Sequence, residues 1–505
     1  MAPRIILIGM IGLIIGAPIA IGAVHIVSYS VMELLIFCLL LLHLWTTDFG
    51  CLDAKMSAAP RPTLNSKLNT QNSTPFPIPS SSYLRRTLLL MLPLFLFLLF
   101  CLFQMVPLPL TLLQKLSPGA AALYARLGLS LTQHSTLNSQ HFLMPLTLSL
   151  STTSAALIKW FAYASVFFLA ATFPPHLPLL DCSSVNSTLY TLHSTLSLLF
   201  VALFVIGFAE AIYGLYVYLN QSDQLLWFRK KYYLDCVTGT YVNRNHFAGL
   251  MELCIPASVG LLASRISLRR STDSVLYLYF LVFGLVIMVL ALIFSMSRMG
   301  QFSLITGAVL VGALYMMALM KRRGRRGGTL LVALLLVLCL GGLWGVWKGL
   351  GPVEDRWSAI ASSYEDRSVV WQSTLKLFHN FPLVGTGLGT YELAYPPYKP
   401  DKLGATIMDH AHNDYLEFLS EAGLAGLIPW LAFLLLFLFC TIRAWFRRRN
   451  TFSIFLGAGG LAAVFALLVH SLADFNLQIP ANAMLLFLVM GLTWRIANTS
   501  TAQRA

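Results

Sequence analysis

Charged residues are scarce in this sequence. They make up 11% of its 505 residues, whereas hydrophobic residues make up 57% and the mean hydropathy is +0.74. A soluble protein of this length has too small an interior to bury that much apolar surface. The composition therefore excludes a soluble globular protein and indicates a membrane protein.

Metal and nucleotide signatures are missing as well. The eight cysteines form no CxxC pair and have no spacing typical of a zinc site. The glycines at positions 385, 387 and 389 lack the GxGxxG spacing of a dinucleotide-binding loop. We interpret them as a backbone turn that folds an outer loop down onto the membrane. The sequence predicts no metal site and no cofactor.

The net charge of +14 has two possible meanings. A nucleic-acid-binding protein would interleave its basic residues with base-stacking aromatics, and no such patch is present. In a membrane protein, short basic loops fix the orientation of the helices. We therefore expect membrane lipids as partners and no nucleic acid.

The apolar residues form continuous runs that approach or exceed the roughly 20 residues a helix needs to cross a bilayer. Continuous runs exclude a β-barrel, whose strands alternate between apolar and polar residues. The sequence predicts an all-α polytopic integral membrane protein with about twelve transmembrane helices. They are expected at residues 5–26, 28–45, 87–106, 153–173, 191–219, 247–263, 275–295, 301–320, 329–348, 424–442, 453–470 and 483–496.

Basic residues set the expected orientation. Loops 264–274, 321–328 and 443–452 are short and rich in Lys and Arg, so they are predicted to be cytoplasmic, with both termini on the same side. The large polar segment between helices nine and ten then lies on the outer face. The predicted segments are 1–45 (two helices), 46–86 (a flexible cytoplasmic linker), 87–348 (helices three to nine), 349–423 (the large outer segment with catalytic residues) and 424–505 (helices ten to twelve and a tail).

Three arginines are predicted to meet on this outer face. Arg298 lies in the short polar turn Ser-Met-Ser-Arg-Met-Gly, Arg244 precedes the sixth span, and Arg367 lies in the large outer segment. A guanidinium group binds a diphosphate through two parallel hydrogen bonds and stays charged at any working pH. The alternatives are a snorkelling interfacial arginine for Arg298 and a surface salt bridge for Arg367.

His412 is the candidate catalytic residue, in the segment Asp-His-Ala-His-Asn-Asp that also contains His410. An imidazole with an ordinary pKa of about 6.5 suits a general base. A metal site is disfavoured, because histidines at i and i+2 do not share a helix face and no third soft ligand is nearby. The structural alternative is a loop or capping histidine, with Asn413 and Asp414 as caps of the helix that follows.

Three further polar residues are expected to support the site. Glu210 lies inside a span, where a carboxylate is costly unless it is paired. It would either orient a substrate group or an arginine, or serve as a buried structural carboxylate. His470 and Asp474 lie at the outer end of the eleventh span and are expected to line the same cavity.

The order of these motifs resembles the O-antigen ligase and O-antigen polymerase superfamily, bacterial enzymes that move glycans off a polyprenyl diphosphate lipid. The resemblance rests on Ser-Arg-x-Gly at Arg298, on Arg367 before Pro-Leu-x-Gly-x-Gly-x-Gly, and on His-x-His-Asn-x-x-Leu at His412. It covers residues 240–480, whereas residues 1–200 share only their hydrophobic spans.

The resemblance implies an active site on the periplasmic face of the bacterial inner membrane. It implies that Arg298 and Arg367 hold the diphosphate and that His412 activates the acceptor hydroxyl, with Arg244 in a further family segment. The expected partners are a lipid-linked glycan donor and a glycan, lipid or protein acceptor. The implied reaction is a metal-independent transfer from undecaprenyl diphosphate by an O-antigen ligase or a surface-polysaccharide polymerase.

Three alternatives remain open at this stage, and one of them is a non-catalytic scaffold in a polysaccharide assembly complex. A protein O-oligosaccharyltransferase would share the chemistry and differ only in its acceptor. A membrane transporter, resembling relatives labelled as bicarbonate carriers, would place paired charges and broken helices near the midplane and would consist of matching halves. The polar groups here cluster on one outer face, and the sequence has no evident internal repeat.

Overall fold

The computed structural model of the chain describes residues 2–57, 81–126, 143–174, 195–268, 275–320, 353–404 and 407–498. Within these ranges the chain is mainly helical, with two short antiparallel strand pairs. In the first, β1 (Leu108–Pro109) pairs with β2 (Leu143–Met144), and in the second, β3 (Gln224–Leu225) pairs with β4 (Phe228–Arg229).

The described α-helices follow one another in the order of the chain. They are α1 (Ala2–Ile19), α2 (Ile26–Ser57), α3 (Ser81–Gln104), α4 (Leu110–Leu116), α5 (Pro118–Arg126), α6 (Leu150–Thr172), α7 (Thr195–Leu219), α8 (Arg244–Leu268), α9 (Val275–Phe294), α10 (Arg298–Met320), α11 (Val353–Asn380), α12 (Tyr391–Ala394), α13 (Asp414–Phe446), α14 (Thr451–His470) and α15 (Pro480–Asn498). Short 3-10 turns lie at Ile21–Ala23, Pro396–Tyr398, Asp401–Leu403 and Asn476–Gln478.

Eleven of the described helices are long and apolar enough to cross a membrane. They are α1 to α3, α6 to α10 and α13 to α15, and each coincides with a predicted span. The predicted fold class, an all-α polytopic integral membrane protein, is confirmed. The predicted ninth span, 329–348, lies outside the described residues, so the total of twelve helices stays a prediction.

The core of the bundle is formed by α8, α14 and α15. Their most apolar stretches are 100%, 83% and 100% buried, against 28% for α2 and 33% for α9. Helices α8 and α14 approach closely at Gly260, where an added Cβ would lie 2.7 Å from the carbonyl oxygen of Phe455. Small residues allow this close packing, on which association between membrane helices depends. The ends of these three helices are therefore held firmly, and they carry several of the predicted site residues.

Helix α13 changes direction at Gly423, where the backbone adopts φ 58° and ψ −169°. Glycine alone adopts this conformation readily. The break leaves backbone amides of the next turn without helical partners, and the preceding glycine-rich loop supplies them. The amide of Leu424, for example, donates to the carbonyl oxygen of Pro382 at 3.0 Å. The polar start of α13 and its apolar remainder thus become two segments.

The glycine-rich loop at residues 382–389 is a backbone turn, as predicted. All three of its glycines have positive φ values, between 68° and 110°. The carboxamide of Gln104, at the end of α3, donates to the carbonyl oxygens of Val384 and Glu421 at 2.7 and 2.9 Å. The loop is therefore clamped between α3 and the start of α13.

The predicted linker 46–86 is only partly described. Helix α2 continues to Ser57 and α3 begins at Ser81, so both ends of this stretch are helical. Residues 58–80 lie outside the described part. The flexible linker, like the rest of the division into segments, stays a prediction.

Candidate functional site

Asp474 is the centre of a polar cluster at one end of the bundle. It lies in the loop between α14 and α15, and its side chain is 0% exposed. The carboxylate accepts a hydrogen bond from the side-chain amide of Asn245, at the start of α8, and another from the backbone amide of Phe475 at 2.9 Å. These two bonds hold a buried charge in one position.

Arg367 reaches the same carboxylate from α11. Its Nη1 atom donates to the carbonyl oxygen of Ala473 at 2.7 Å, and its Nη2 atom lies 3.6 Å from Oδ2 of Asp474. The second contact is a loose ion pair, too long for a good hydrogen bond. Because the Arg367 side chain is 25% exposed, its guanidinium group is also open to a ligand.

His412 faces the other carboxylate oxygen. Its Nδ1 atom lies 3.7 Å from Oδ1 of Asp474. The backbone of His412 is left-handed, with φ 50°, which is uncommon for residues other than glycine and often marks functional sites. The indole nitrogen of Trp371 donates to the carbonyl oxygens of Ala411 and His412 at 3.1 and 3.3 Å. Trp371 thus supports the backbone that aims the imidazole at Asp474.

The charge of Asp474 follows from these neighbours. Burial alone raises the pKa of a carboxyl group, but the adjacent imidazoles, His412 first and then His246 and His470, hold the pKa of Asp474 well below its usual range. Asp474 is therefore an ionised carboxylate. Such a group beside Nδ1 of a histidine favours the tautomer with its proton on Nδ1 and leaves Nε2 as the acceptor.

The ring of Phe475 connects three histidines. Its centroid lies 4.3 Å from that of His410 in a stacked arrangement, and 4.7 and 4.9 Å from those of His246 and His412 in edge-to-face arrangements. Ring pairs at such distances stabilise one another beyond their buried area. Phe475 therefore fixes the spacing of the imidazoles around Asp474.

His410 is paired with Glu417, one turn into α13. Its Nδ1 atom lies 2.8 Å from Oε1 of Glu417, whose other oxygen accepts from the backbone amide of Ala411 at 2.8 Å. Burial lowers the pKa of His410, but the charge and the hydrogen bond of Glu417 outweigh it and raise the pKa to about 9. A protonated His410 cannot act as a base at neutral pH, in contrast to the role predicted for its neighbour His412.

Asn413 caps α13, one of the two caps predicted from the sequence. Its side-chain oxygen accepts from the backbone amides two and three residues further on, at 3.0 and 3.1 Å. The next residue, Asp414, is buried and accepts from the amide of Leu477 at 3.0 Å, while its own amide donates to the carbonyl oxygen of Asp474 at 3.2 Å. The start of α13 and the Asp474 loop are thereby tied together.

Arg298 is the first residue of α10 and is exposed. The hydroxyl of the preceding Ser297 donates to Oδ1 of Asn245 at 2.8 Å. Because the other side-chain atom of Asn245 donates to Asp474, the turn that carries Arg298 is linked by hydrogen bonds to the centre of the cluster.

Arg244 is the first residue of α8 and precedes Asn245 directly. Its guanidinium carbon lies 5.4 Å from the centroid of the Tyr233 ring, a cation–π distance. The start of α8 adjoins the Asp474 loop through Asn245, and the start of α10 is linked to that loop through Ser297 and Asn245.

The sequence around this cluster matches a known family. The O-antigen ligase family model matches residues 283–431, a stretch that includes Arg298, Arg367 and His412. This match supports membership of the O-antigen ligase and polymerase superfamily. No curated protein matches the sequence. The family match and the eleven apolar helices support a bacterial inner-membrane protein of the glycan-transferase type, and the matched family implies lipid-linked glycan substrates.

Two residues predicted to support the site have close partners of their own. Both carboxylate oxygens of Glu210 accept hydrogen bonds from Thr240, at 2.8 Å from its amide and 2.8 Å from its hydroxyl. Nδ1 of His470 lies 2.7 Å from Oε1 of Glu252, and both side chains are 0% exposed. Among the described residues, no group of His, Cys, Asp and Glu side chains is arranged to hold a metal ion.

Other members of the cluster were not predicted from the sequence. Glu417 could have been predicted, because Asp414, Glu417 and Glu421 are spaced at i, i+3 and i+7 and so share one face of a helix. Three carboxylates on one face of an otherwise apolar helix point to a polar interior. No sequence feature points to Phe475, since a single phenylalanine in a hydrophobic chain is indistinguishable from a packing residue.

Proposed function

We propose that this protein moves a glycan from undecaprenyl diphosphate to an acceptor hydroxyl, with His412 as the general base and without a metal ion. The supporting observation is the convergence on Asp474, whose carboxylate lies 3.6 Å from the guanidinium group of Arg367 and 3.7 Å from the imidazole of His412. A base beside an anion-binding group suits transfer from a diphosphate, because one activates the nucleophile and the other stabilises the leaving group.

The acceptor is activated by His412. Because Nδ1 faces the ionised Asp474, the opposite ring nitrogen, Nε2, takes the proton of the attacking hydroxyl. Asp474 then stabilises the imidazolium that forms. The separation of 3.7 Å exceeds a hydrogen bond, and contacts of this kind commonly shorten once a substrate is bound.

The donor reacts at its anomeric carbon. The acceptor oxygen forms a new bond to this carbon, the bond to the diphosphate breaks, and the electron pair leaves with the polyprenyl diphosphate. Arg367 stabilises the departing charge, together with Arg298 and Arg244 at the starts of α10 and α8, so the leaving group needs no proton. A single displacement of this kind inverts the anomeric configuration.

The proposed side of the membrane is the periplasmic one. Basic loops such as 443–452 then lie in the cytoplasm, as the distribution of charge in membrane proteins favours. A ligase, a polymerase and a protein O-oligosaccharyltransferase share this chemistry, and the acceptor alone distinguishes them.

The test is transfer by the purified full-length protein in nanodiscs, with an undecaprenyl diphosphate glycan and a panel of acceptors. His412→Ala is expected to lower kcat about 10²–10⁴-fold, the usual contribution of a general base, while donor binding is retained. His379→Ala, at an exposed histidine of α11, is the matched control and should behave like the wild type.

Two further measurements separate the parts of the proposal. Arg367→Lys keeps the charge but loses the planar fork, so the KM for the donor should rise about tenfold or more. Chelation with EDTA should leave the rate unchanged. Wild-type rates in His412→Ala would remove the proposed base, and a rate restored only by added divalent cations would remove the metal-independent mechanism.

A further inference from the structure

A cavity of about 210 Å³ lies next to the Asp474 cluster. It opens between α2, α6, the glycine-rich loop, the start of α13 and the loop before α15. His410 and Glu417 line it, so their ion pair forms part of the cavity wall. The proposed reaction uses no group inside this cavity.

Two buried polar atoms among the cavity-lining residues have no hydrogen-bond partner within the described part of the chain. One is Oε2 of Glu421, a residue that is 1% exposed, and the other is Nε2 of Gln478. The other oxygen of Glu421 accepts from the amide of Tyr391 at 2.9 Å, which fixes the carboxylate. Buried polar atoms are costly when left unpaired, so an acceptor and a donor in one cavity indicate a ligand that both donates and accepts.

Aromatic rings form another part of the cavity wall. Trp160 and Tyr163 of α6 are 3% and 2% exposed, and Tyr29 of α2 lines the same space. The Nζ atom of Lys159 lies 5.0 Å from the centroid of the Tyr29 ring. The cavity therefore combines apolar ring surfaces with hydrogen-bonding groups, as sites for small polar ligands generally do.

The charges around the cavity disfavour an anion. Carboxylates outnumber cations among the lining residues, since Glu417, Glu421 and, towards the surface, Glu392 and Asp409 face only Lys159 and His410. A diphosphate would be repelled here and attracted to Arg367 beside Asp474.

We propose that this cavity binds an uncharged sugar residue of one of the two glycan substrates, an inference that rests on the proposed function. A sugar hydroxyl donates to the free oxygen of Glu421 and accepts from Gln478, and the apolar face of the ring lies against the aromatic wall. The ring of Phe475 contacts both His410, which lines the cavity, and His412, with centroid distances of 4.3 and 4.9 Å. A glycan anchored in the cavity can thus present a neighbouring sugar to the proposed base.

The experiment measures binding without turnover. Saturation-transfer NMR on the full-length protein in nanodiscs uses two probes, the lipid-free glycan of the donor and the lipid-free glycan of the acceptor. The wild type is expected to bind one of them, and the identity of that probe tells whether the cavity serves donor or acceptor. Neither probe contains a diphosphate, so no transfer occurs during the measurement.

Variants test whether binding takes place in the cavity. Glu421→Gln and Gln478→Ala are each expected to weaken binding roughly five- to tenfold, the effect of one lost hydrogen bond. Gln372→Ala, at an exposed glutamine of α11, is the matched control and should bind like the wild type. Glu421→Gln keeps the shape of the side chain, so its loss of binding with an unchanged melting temperature does not reflect misfolding.

Three results would overturn the inference. They are no binding of either glycan by the wild type, wild-type binding by both cavity variants, or tighter binding of a probe that ends in a uronic acid. The proposed base is tested separately, because full transfer by His412→Ala would remove that residue's role without changing the binding of a lipid-free glycan.

Discussion

Two buried carboxylates in this protein, Glu210 and Asp474, differ in the number and charge of their partners. Both oxygens of Glu210 accept hydrogen bonds at 2.8 Å from a single residue, Thr240. Asp474 contacts three other parts of the chain, at Asn245 and His246, at Arg367 and at His412. Its charged or chargeable neighbours lie at 3.6 to 3.9 Å. Both carboxylates are hydrogen-bonded within the protein, since Asp474 also accepts from Asn245 and Phe475. Asp474 differs in that it also has charged or chargeable neighbours that a substrate can still engage.

The difference distinguishes a carboxylate that stabilises the fold from one that orients the groups involved in the reaction. A carboxylate with short, complete hydrogen bonds fixes a loop, and its loss is felt in stability. A carboxylate with loose charged neighbours orients groups that must move by a few tenths of an ångström when a substrate binds. Substitutions at the two kinds of site should therefore differ in their effects on activity and stability.

The largest expected effect is on activity. Asp474→Asn removes the charge that orients His412 and stabilises its imidazolium form, so kcat should fall about 10²-fold or more. The measurement is the initial rate of glycan transfer by purified protein, beside Asp401→Asn at an exposed position as control. A variant with wild-type rates would mean that Asp474 has only a structural role.

The next largest effect is on the stability of the fold. At Gly423 an added Cβ would lie 2.4 Å from the carbonyl oxygen of Leu383, whereas at Gly404, which has a similar positive φ of 56°, it would meet nothing within 4 Å. Both Ala substitutions carry a backbone cost of about 1–3 kcal/mol, and only Gly423→Ala adds a clash with backbone atoms. The melting temperature should fall clearly further in Gly423→Ala, and equal losses would show that the break in α13 can relax.

Glu210→Leu is expected to destabilise without inactivating. A leucine leaves the backbone N–H of Thr240 without its acceptor, and one unsatisfied buried donor costs about 1–3 kcal/mol. The melting temperature should fall, while transfer per folded molecule stays within about twofold of the wild type. A double-mutant cycle with Thr240→Ala isolates the pair, and a coupling near zero would contradict this interpretation.

The smallest effect is a dependence of stability on pH. The charge and hydrogen bond of Glu417 outweigh burial and raise the pKa of His410 to about 9, above the ordinary value of about 6.5. A raised pKa stabilises the folded state fully below pH about 6.5, and this contribution is lost as the pH rises through about 9. The melting temperature of the wild type relative to His410→Gln should fall across this range.

The control for that experiment is the exposed His379. His379→Gln should run parallel to the wild type from pH 6 to pH 10. A difference between wild type and His410→Gln that stays constant with pH would show that the ion pair with Glu417 does not form.

Much of the fold could be predicted from the sequence because each span carries its own signal. A run of apolar residues is sufficient to mark a helix in a bilayer, whatever it packs against. The glycine turn and the Asn413 cap are local signals of the same kind. Proximity between distant segments has no such signal, so the contact of Arg367 with Asp474 could be expected only from the topology and from a family resemblance.

Partners within the cluster were the hardest to predict. Glu417 pairs with His410 across a turn, and Phe475 contacts three imidazoles, yet neither contact has a fixed sequence spacing. The role of Glu210 was left open between a substrate contact and a structural carboxylate, because burial alone does not say where a partner comes from. In the structure Thr240 supplies both of its hydrogen bonds, from a loop outside the spans.

The break in α13 at Gly423 also sets the level of the site relative to the bilayer. From Gly423 to Phe446 the helix rises about 36 Å at roughly 1.5 Å per residue, slightly more than the hydrocarbon thickness of about 30 Å. The turn at Gly423 therefore falls where acyl chains give way to headgroups, the layer in which a lipid carries its phosphates. A lipid-linked substrate would arrive already level with the cluster, and lateral diffusion in two dimensions would complete the encounter.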